Sequence, residues 1–442
     1  MRDARGGWTA RHWVAALVLV LVSAFLNITA LRETRHGDLI IADGAKYAAY
    51  AYNLKHDGIF SHTKSYGDAE GAVVSPDKLT LPGYPWFLSR LLGDGAPDAA
   101  FLQRVQAAQA GFNVVSTVLV FLIALRLMPL GWAFAAGLLA ASVPHVIVIA
   151  GYPLTEALST TLVLGFVLAT LHAASPKGTR WQAALAGLLL GALCLVRPQL
   201  QGIPWLLLLA VIFVPKWRPH LKRAAIAAAM FAALVLPWQL RNARVDRAPG
   251  DPDLMVVTVY NGSFPNFMYR DIPETRGYAY SFDPWYDDRV RDMPAALSYI
   301  GGFFAEQPAR YTRWYLLGKP GAFLSWDFVE GRGGIFIYPA IESPWLANPL
   351  FVALRNLHAW LHWPLMGAAM LTVFLALWRP EWIVRDEAFR GNVRLVAGLV
   401  AYVIVLHMLG YPLPRYNLPY RPLEFALALV GMRAMLRRRG RR

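Results

Sequence analysis

Runs of about twenty apolar residues recur along this chain, each long enough to cross the hydrocarbon core of a bilayer. The first, from Trp13 to Leu31, carries no charged side chain. Backbone polar groups inside lipid must be satisfied within their own segment, so such runs fold as helices. Ten spans are expected, at about 13–31, 105–126, 131–151, 153–173, 181–196, 199–214, 222–240, 357–378, 395–412 and 418–436. The pair at 181–196 and 199–214 is short, and the Arg197-Pro198 break between them suits a bent hairpin equally well. Hydrophobic residues make up 56% of the chain and charged residues 16%, too little polar surface for a soluble fold. The fold class is therefore an all-α integral membrane protein.

The net charge of +15 raises the question of nucleic acid, and the distribution of charge answers it. With the N-terminus inside and alternating spans, the inner segments are 1–12, 126–130, 174–180, 215–223, 379–394 and the tail from Gly431. They hold 20 of the 43 Lys and Arg but 4 of the 28 acids. The rest of the chain is nearly balanced, so the basic excess is a positive-inside bias, and no nucleic-acid partner is expected. Both termini are read as cytoplasmic, with Arg437, Arg438, Arg439, Arg441 and Arg442 lying on anionic headgroups. The first span starts like a signal peptide but is longer and lacks a small-x-small cleavage site, so it reads as an uncleaved anchor. Cys194 is the single cysteine, which excludes an intrachain disulfide and a cysteine zinc framework.

This topology divides the chain into a catalytic membrane half at 1–244, an extracytoplasmic region at 245–350, and C-terminal helices with a basic tail at 351–442. The first outer loop spans 32–104. It opens with a helical pattern in which Asp43, Lys46, Tyr47, Tyr50 and Leu54 share one face, with Gly58 as a stop. A second helix is expected from Pro82-Gly83-Tyr84-Pro85 onward, and both helices are read as interfacial. In the second loop, Tyr260-Asn-Gly-Ser-Phe-Pro and Phe282-Asp-Pro-Trp-Tyr read as turns. The mixture of cations with Trp and Tyr from Arg310 to Trp326 suits the headgroup level. Asn261-Gly-Ser263 is a formal sequon that carries no weight without a eukaryotic secretory host.

Asp43, Glu156, Arg197, Arg241 and Arg415 all fall on the outer side. Asp43 is placed to accept a proton from an acceptor hydroxyl, or to cap the helix that follows it. Glu156, entering an apolar helix, needs a partner or the helix N-terminus to hold its charge. It could bind sugar hydroxyls or assist Asp43. Arg197, Arg241 and Arg415 each end a span near a proline. One such arginine commonly snorkels to headgroups. Three on the side of two acids could together bind a lipid-linked phosphate through paired hydrogen bonds. Lys78, Lys46 and Lys319 are weaker phosphate candidates, lysine in such loops being ordinarily solvated surface. His358 and His362 share a helix face, but no Glu follows His358 as a metalloprotease would require, so interfacial packing is the better reading. No phosphate-cradling Gly loop, nucleophile elbow or nucleotide fingerprint occurs, which disfavours a cytosolic nucleotide-sugar substrate.

At these residues the chain resembles the membrane-embedded glycosyltransferases of the C-type fold, and within it the protein O-mannosyltransferase group and the lipid A aminoarabinose transferase. The matching parts are Asp43 with Tyr47, Pro82-Gly83-Tyr84-Pro85, Glu156, Arg197-Pro198, Pro237-Trp238 with Arg241-Asn242, and Arg415-Tyr416 with Pro419. They cover most of residues 1–250 and about the last 40, while 245–345 matches weakly. Two departures stand out: Gly44 follows Asp43 where relatives carry a second acid, and the second-loop acid is Glu156 where Asp is more usual. The resemblance implies a polyprenyl-phosphate sugar donor attacked at C1 outside the cytoplasmic membrane. Asp43 would be the base, the arginines and Lys78 would hold the phosphate, and Lys46, Tyr47, Tyr84 and Tyr416 would line the substrate. It implies neither a metal nor another cofactor. The acceptor would be a lipid, glycan or protein, and the location a bacterial inner membrane. The alternatives are a polymerase or ligase of lipid-linked glycans and a non-enzymatic flippase or transporter of such lipids. A transporter would place ionisable groups near mid-bilayer, and the span centres hold almost none.

Overall fold

The computed structural model describes residues 8–64, 66, 73–248, 250–268, 283–326, 338, 340–384 and 387–439. Arg441 and Arg442 of the tail, and Phe282, lie outside them. In chain order the α-helices are α1 (Ala10–Glu33), α2 (Ala42–His56), α3 (Gly83–Leu91), α4 (Ala99–Leu125), α5 (Leu130–Ser142), α6 (Pro144–Ile149), α7 (Glu156–Ala173), α8 (Arg180–Val196), α9 (Ile203–Phe213) and α10 (Leu221–Asn242). The second loop holds α11 (Leu254–Gly262), α12 (Tyr286–Arg289), α13 (Met293–Glu306), α14 (Pro308–Arg313), α15 (Lys319–Phe323) and α16 (Pro344–Ala347). The chain ends with α17 (Pro349–Trp378), α18 (Glu387–Leu409) and α19 (Arg421–Arg439). A short antiparallel pair joins Arg35–His36 to Ala340–Glu342.

Among the described residues, six helices are long and apolar enough to cross a membrane: α1, α4, α7, α17, Trp217–Asn242 and Phe389–Leu409. The chain is thus a multi-pass membrane protein. The other four expected spans differ for local reasons. The run at 131–151 is split, because Pro144 cannot donate to a continuing helix and starts α6 afresh. α8 has 17 residues and α9 has 11, which at 1.5 Å per residue reaches only about 17 Å. α19 carries Arg421 and Glu424, both buried, in its first turn. The outward faces are apolar: Trp13, Leu17, Leu21 and Phe25 stand exposed along one stripe of α1, as a lipid-facing helix requires.

The two ends of the bundle are distinct. At one end Arg223 donates to the carbonyls of Ala173 at 2.6 Å and Ser175 at 2.9 Å, and Asn392 donates to that of Arg126 at 2.9 Å. All but Ala173, the last residue of the expected span at 153–173, belong to segments expected inside. At the other end lie α2, α3 and the starts or ends of α4, α7, α8 and α10, as the alternation predicts. Helix starts there are chemically marked: Asp98 Oδ1 accepts from Phe101 N at 2.7 Å, and Asn348 Oδ1 accepts from Leu350 N at 3.1 Å.

Several local expectations change. Asp43 does not cap α2; the cap is Ile41, and Asp43 lies inside the first turn with its carboxylate directed elsewhere. Tyr260-Asn261-Gly262 is helical rather than a turn, because Asp253 accepts from Met255 N and starts α11 there. Lys319 is fully buried rather than solvated, its Nζ donating to the carbonyls of Met408 and Gly410, each at 2.9 Å. Burial draws its ammonium down to about 7. His358 and His362 are core groups rather than interfacial ones: His358 Nε2 lies 2.9 Å from Ser142 Oγ, and His362 Nε2 donates to Leu324 O at 2.8 Å.

α3 packs against the end of α8 through Gly83, where an added Cβ would sit 2.8 Å from the carbonyl oxygen of Leu195 and 2.8 Å from Val196 Cγ2. The Leu195 carbonyl cannot move without displacing the end of α8. Gly83→Ala is expected to destabilise the protein by about 1–3 kcal/mol, as overpacking does. A lowered thermal unfolding midpoint in detergent, relative to an alanine at open Gly111, checks it.

Candidate active site

Three segments that are far apart in sequence meet at the outer end of the bundle. The first is the start of α2. Ala42 has a left-handed φ of +44°, uncommon for a residue with a side chain, and Asp43 follows it directly. Gly44 donates its N–H to the Tyr338 hydroxyl at 3.1 Å. A Cβ at position 44 would lie 2.6 Å from the Leu39 carbonyl oxygen and 3.1 Å from Pro153, so a second acid cannot stand there in this backbone. The second segment is the junction of α7 with the end of α8. Residues before proline avoid the helical region, and Arg197 accordingly adopts φ −144°, ψ 125°, which ends α8 and turns the side chain toward α7. The third is the 3₁₀ turn Pro414–Asn417 between α18 and α19, which carries Arg415.

Their side chains form one chain of ion pairs. Glu156 is fully buried and accepts from both Arg197 and Arg415 through Oε1, while its Oε2 accepts from Arg415 Nη2 at 3.4 Å. Arg197 Nε also donates to Thr155 Oγ1 at 2.8 Å, and its guanidinium lies 5.2 Å over the Tyr416 ring. Arg415 Nη1 reaches out to Asp43 Oδ2 at 3.1 Å, and Lys46, one helical turn along, donates to Asp43 Oδ1 at 3.1 Å. The two arginine side chains are 9% exposed, whereas that of Asp43 is 37% exposed. Asp43, with the 26% exposed Lys46 beside it, is therefore the open edge of a group whose other members are buried. Counting Asp43 and Glu156 against Arg197, Arg415 and Lys46, the group carries one excess positive charge.

Burial would raise the Asp43 carboxyl, but the charges of Arg415 and Lys46 outweigh it and hold it at about 2. The Arg415 guanidinium is buried, yet the Glu156 and Asp43 charges keep it well above its ordinary value. Tyr47 packs edge-on against Tyr84 with ring centres 5.2 Å apart. Tyr84 is buried and donates to Gln109 Oε1 at 3.1 Å.

The structure brings together Asp43, Lys46, Tyr47, Glu156, Arg197, Arg415 and Tyr416. It places Arg241 and Lys78 in a neighbouring group. Arg241 donates to the carbonyls of Asp77 and of Phe60, the latter at 3.1 Å, and its guanidinium lies 4.9 Å over the Trp238 ring. Lys78 Nζ donates to Asn242 O at 3.2 Å. Sequence reasoning missed Thr155 and Tyr338. Thr155 adjoins Glu156 and could have been weighed with it. Tyr338 stands nearly 300 positions from Asp43 in a weakly patterned loop, with no signal to find it by.

No family model and no curated protein matches this chain. Among solved structures it is similar to ArnT from Cupriavidus metallidurans bound to undecaprenyl phosphate, at 15% identity and a TM-score of 0.41, over 97% of this chain and 79% of that one. It is also similar to the oligosaccharyltransferase AglB from Archaeoglobus fulgidus in complex with an inhibitory peptide and a dolichol-phosphate. That match has 15% identity and a TM-score of 0.49, covering 94% of this chain and 50% of that one. Both are membrane glycosyltransferases of the C-type fold, the group the sequence resembles. The TM-scores lie below 0.5, and the chemical reading of the site rests on its own geometry.

Removing the Glu156 charge would leave two buried guanidinium groups facing each other. Glu156→Gln is expected to cost about 3–5 kcal/mol, the range for breaking a buried pair by deleting one partner. Thermal unfolding in detergent checks it; Glu156→Asp, which keeps the charge, is expected to lose less.

Proposed function

We propose that the protein is a glycosyltransferase that moves a sugar from a polyprenyl-phosphate donor to an acceptor outside the cytoplasmic membrane. The observation that carries this reading is the convergence of a half-open carboxylate with two buried guanidinium groups at one end of a lipid-facing bundle. A phosphate leaving group needs fixed positive charge aimed at it, and a greasy donor needs a site reachable from the bilayer. The bacterial inner membrane, with this end of the bundle outside, is the location that the charge bias and the resemblance support.

In this reading Asp43 accepts the proton of an acceptor hydroxyl as its oxygen attacks C1 of the sugar. The bond from C1 to the phosphate oxygen breaks, and the polyprenyl phosphate leaves with its negative charge on Arg415, Lys46 and Arg197. Lys46 and Tyr47 share the face of α2 that carries Asp43 and would border the sugar, with Tyr416 behind Arg197. Arg241 and Lys78, whose donors rest on backbone carbonyls, would hold the first outer loop in place.

A carboxylate held at about 2 is a poor proton acceptor. Both of its cationic partners are also the groups a phosphate would engage. Donor binding would therefore loosen Arg415 and Lys46 from Asp43 and raise its basicity at the moment an acceptor is needed. The one excess positive charge of the group matches a singly charged phosphodiester.

Purified protein incubated with a panel of polyprenyl-phosphate sugars should release free polyprenyl phosphate for one of them. Asp43→Asn is expected to abolish this release while donor affinity stays equal or tightens, since two cations lose their competing carboxylate. Full turnover in that variant would remove Asp43 as the base. Arg415→Lys, which keeps the charge but not the fork, should weaken donor binding about 10-fold, near the worth of one charge-assisted hydrogen bond. Unchanged donor affinity would count against a phosphate at Arg415.

A further inference from the structure

Lys319, in α15, is a fully buried cation that the proposed reaction does not use. Its Nζ donates to Met408 O and Gly410 O, each at 2.9 Å, and the Tyr315 ring faces the ammonium with its centre 3.7 Å away. Among the described residues no carboxylate pairs with it. Its partners are thus backbone oxygens at the end of α18, a few residues before Arg415.

The sequence explains why those two oxygens need a donor. A helical carbonyl accepts from the N–H four residues further on. For Met408 that residue is Pro412 and for Gly410 it is Pro414, and proline has no N–H. Gly410 N closes on Leu406 O at 3.0 Å, so the ladder of α18 runs out where the prolines begin. Buried carbonyls left without a donor are costly. A cation at a helix C-terminus also meets the negative end of the helix dipole.

We propose that Lys319 is a positioning residue for Arg415: its ammonium replaces the two donors that Pro412 and Pro414 lack, and so fixes the turn from which Arg415 reaches Glu156 and Asp43. Glu156 holds the guanidinium, and Lys319 holds the backbone that carries it. The segment around Lys319 is built for this. Trp314 Nε1 donates to Gly262 O at 3.0 Å, and a Cβ at Gly262 would lie 2.1 Å from Gly410 O, so the end of α11 is pressed against the same carbonyl. α15 packs against Pro414–Asn417, and Phe323 stacks on His407 with ring centres 4.4 Å apart. Just beyond, Ser325 O accepts from Arg421 Nη2 at 3.3 Å at the start of α19. One stretch of the second outer loop therefore grips the chain on both sides of Arg415. The consequence for donor binding rests on the transferase reading, whereas the placement of Arg415 does not.

The test uses the full chain in detergent, labelled with the arginine reagent phenylglyoxal and read by peptide mass spectrometry. Lys319→Met, which keeps the length but removes the donors, should raise labelling of Arg415 about 10-fold, the scale of one buried hydrogen bond left unmade. Arg197 stays on Glu156 and Thr155 and should change little. Lys319→Arg, which keeps charge and donors, should restore most of the protection, whereas a role in packing alone would make the bulkier arginine at least as disruptive. Should Lys319→Met not elute as monodisperse protein, the same comparison is read in Lys319→Gln. Unchanged labelling of Arg415, an equal rise at Arg197, or no rescue by arginine would overturn the inference. Binding of a polyprenyl phosphate is measured on the same samples. Weaker binding in Lys319→Met, with little further loss when Arg415→Lys is already present, would support both readings. Altered labelling with unaltered affinity would keep Lys319 as the positioning residue and remove the phosphate from Arg415.

Discussion

One buried carboxylate organises this end of the molecule. Glu156 begins α7 inside the protein, and neither water nor lipid reaches it. An isolated carboxylate there would be expelled or neutralised. It persists because Arg197 and Arg415 approach it from two other segments, and each arginine is held in turn by the same group. The pairing fixes where α8 must end and where the turn before α19 must lie. Taking these charges from water costs about as much as their attraction returns. The cluster therefore specifies an arrangement more than it adds stability, and the arrangement it specifies leaves Arg415 Nη1 reaching Asp43.

Backbone chemistry supplies the rest of the geometry. Pro198 forces Arg197 out of the helix, Pro144 divides the run after α5, and the prolines at 412, 414 and 419 keep the Arg415 segment from continuing α18. Ala42 carries a left-handed φ that costs about 1–2 kcal/mol for a residue with a Cβ. That conformation sits immediately before the open carboxylate, and Tyr338 ties it down by bonding both Ile41 O and Gly44 N. Backbone strain of this kind persists only where its surroundings over-determine it.

Much of this was legible in the sequence because membranes impose strong patterns. Apolar runs located α1, α4, α7, α10, α17 and α18, and alternation placed Asp43, Glu156, Arg197 and Arg415 at one end. The pattern failed where a span is broken or short, as at Pro144 and α9, since hydropathy averages over the break. It failed again at Lys319, where composition suggested a solvated lysine and the fold supplies two carbonyls inside the protein. Charge type alone could not divide Arg241 from Arg415. One donates to backbone oxygens beside Trp238, the other to two carboxylates, and only tertiary contacts distinguish them. Tyr338 was invisible because its partners, Ile41 and Gly44, are remote in sequence.

The exposure gradient across the cluster links these points. Glu156 is wholly enclosed, Arg197 and Arg415 nearly so, and Asp43 is open on one side. A ligand arriving from that side meets Asp43, Lys46 and the outer edge of Arg415 before anything else. An anion there competes with Asp43 for both cations but not with Glu156, whose contacts lie behind. The inner pair can thus hold Arg415 in place while its outer nitrogen changes partner. Asp43, tied to two cations in the free protein, is the group whose basicity such an exchange would alter most, and no movement of the helices is needed to alter it.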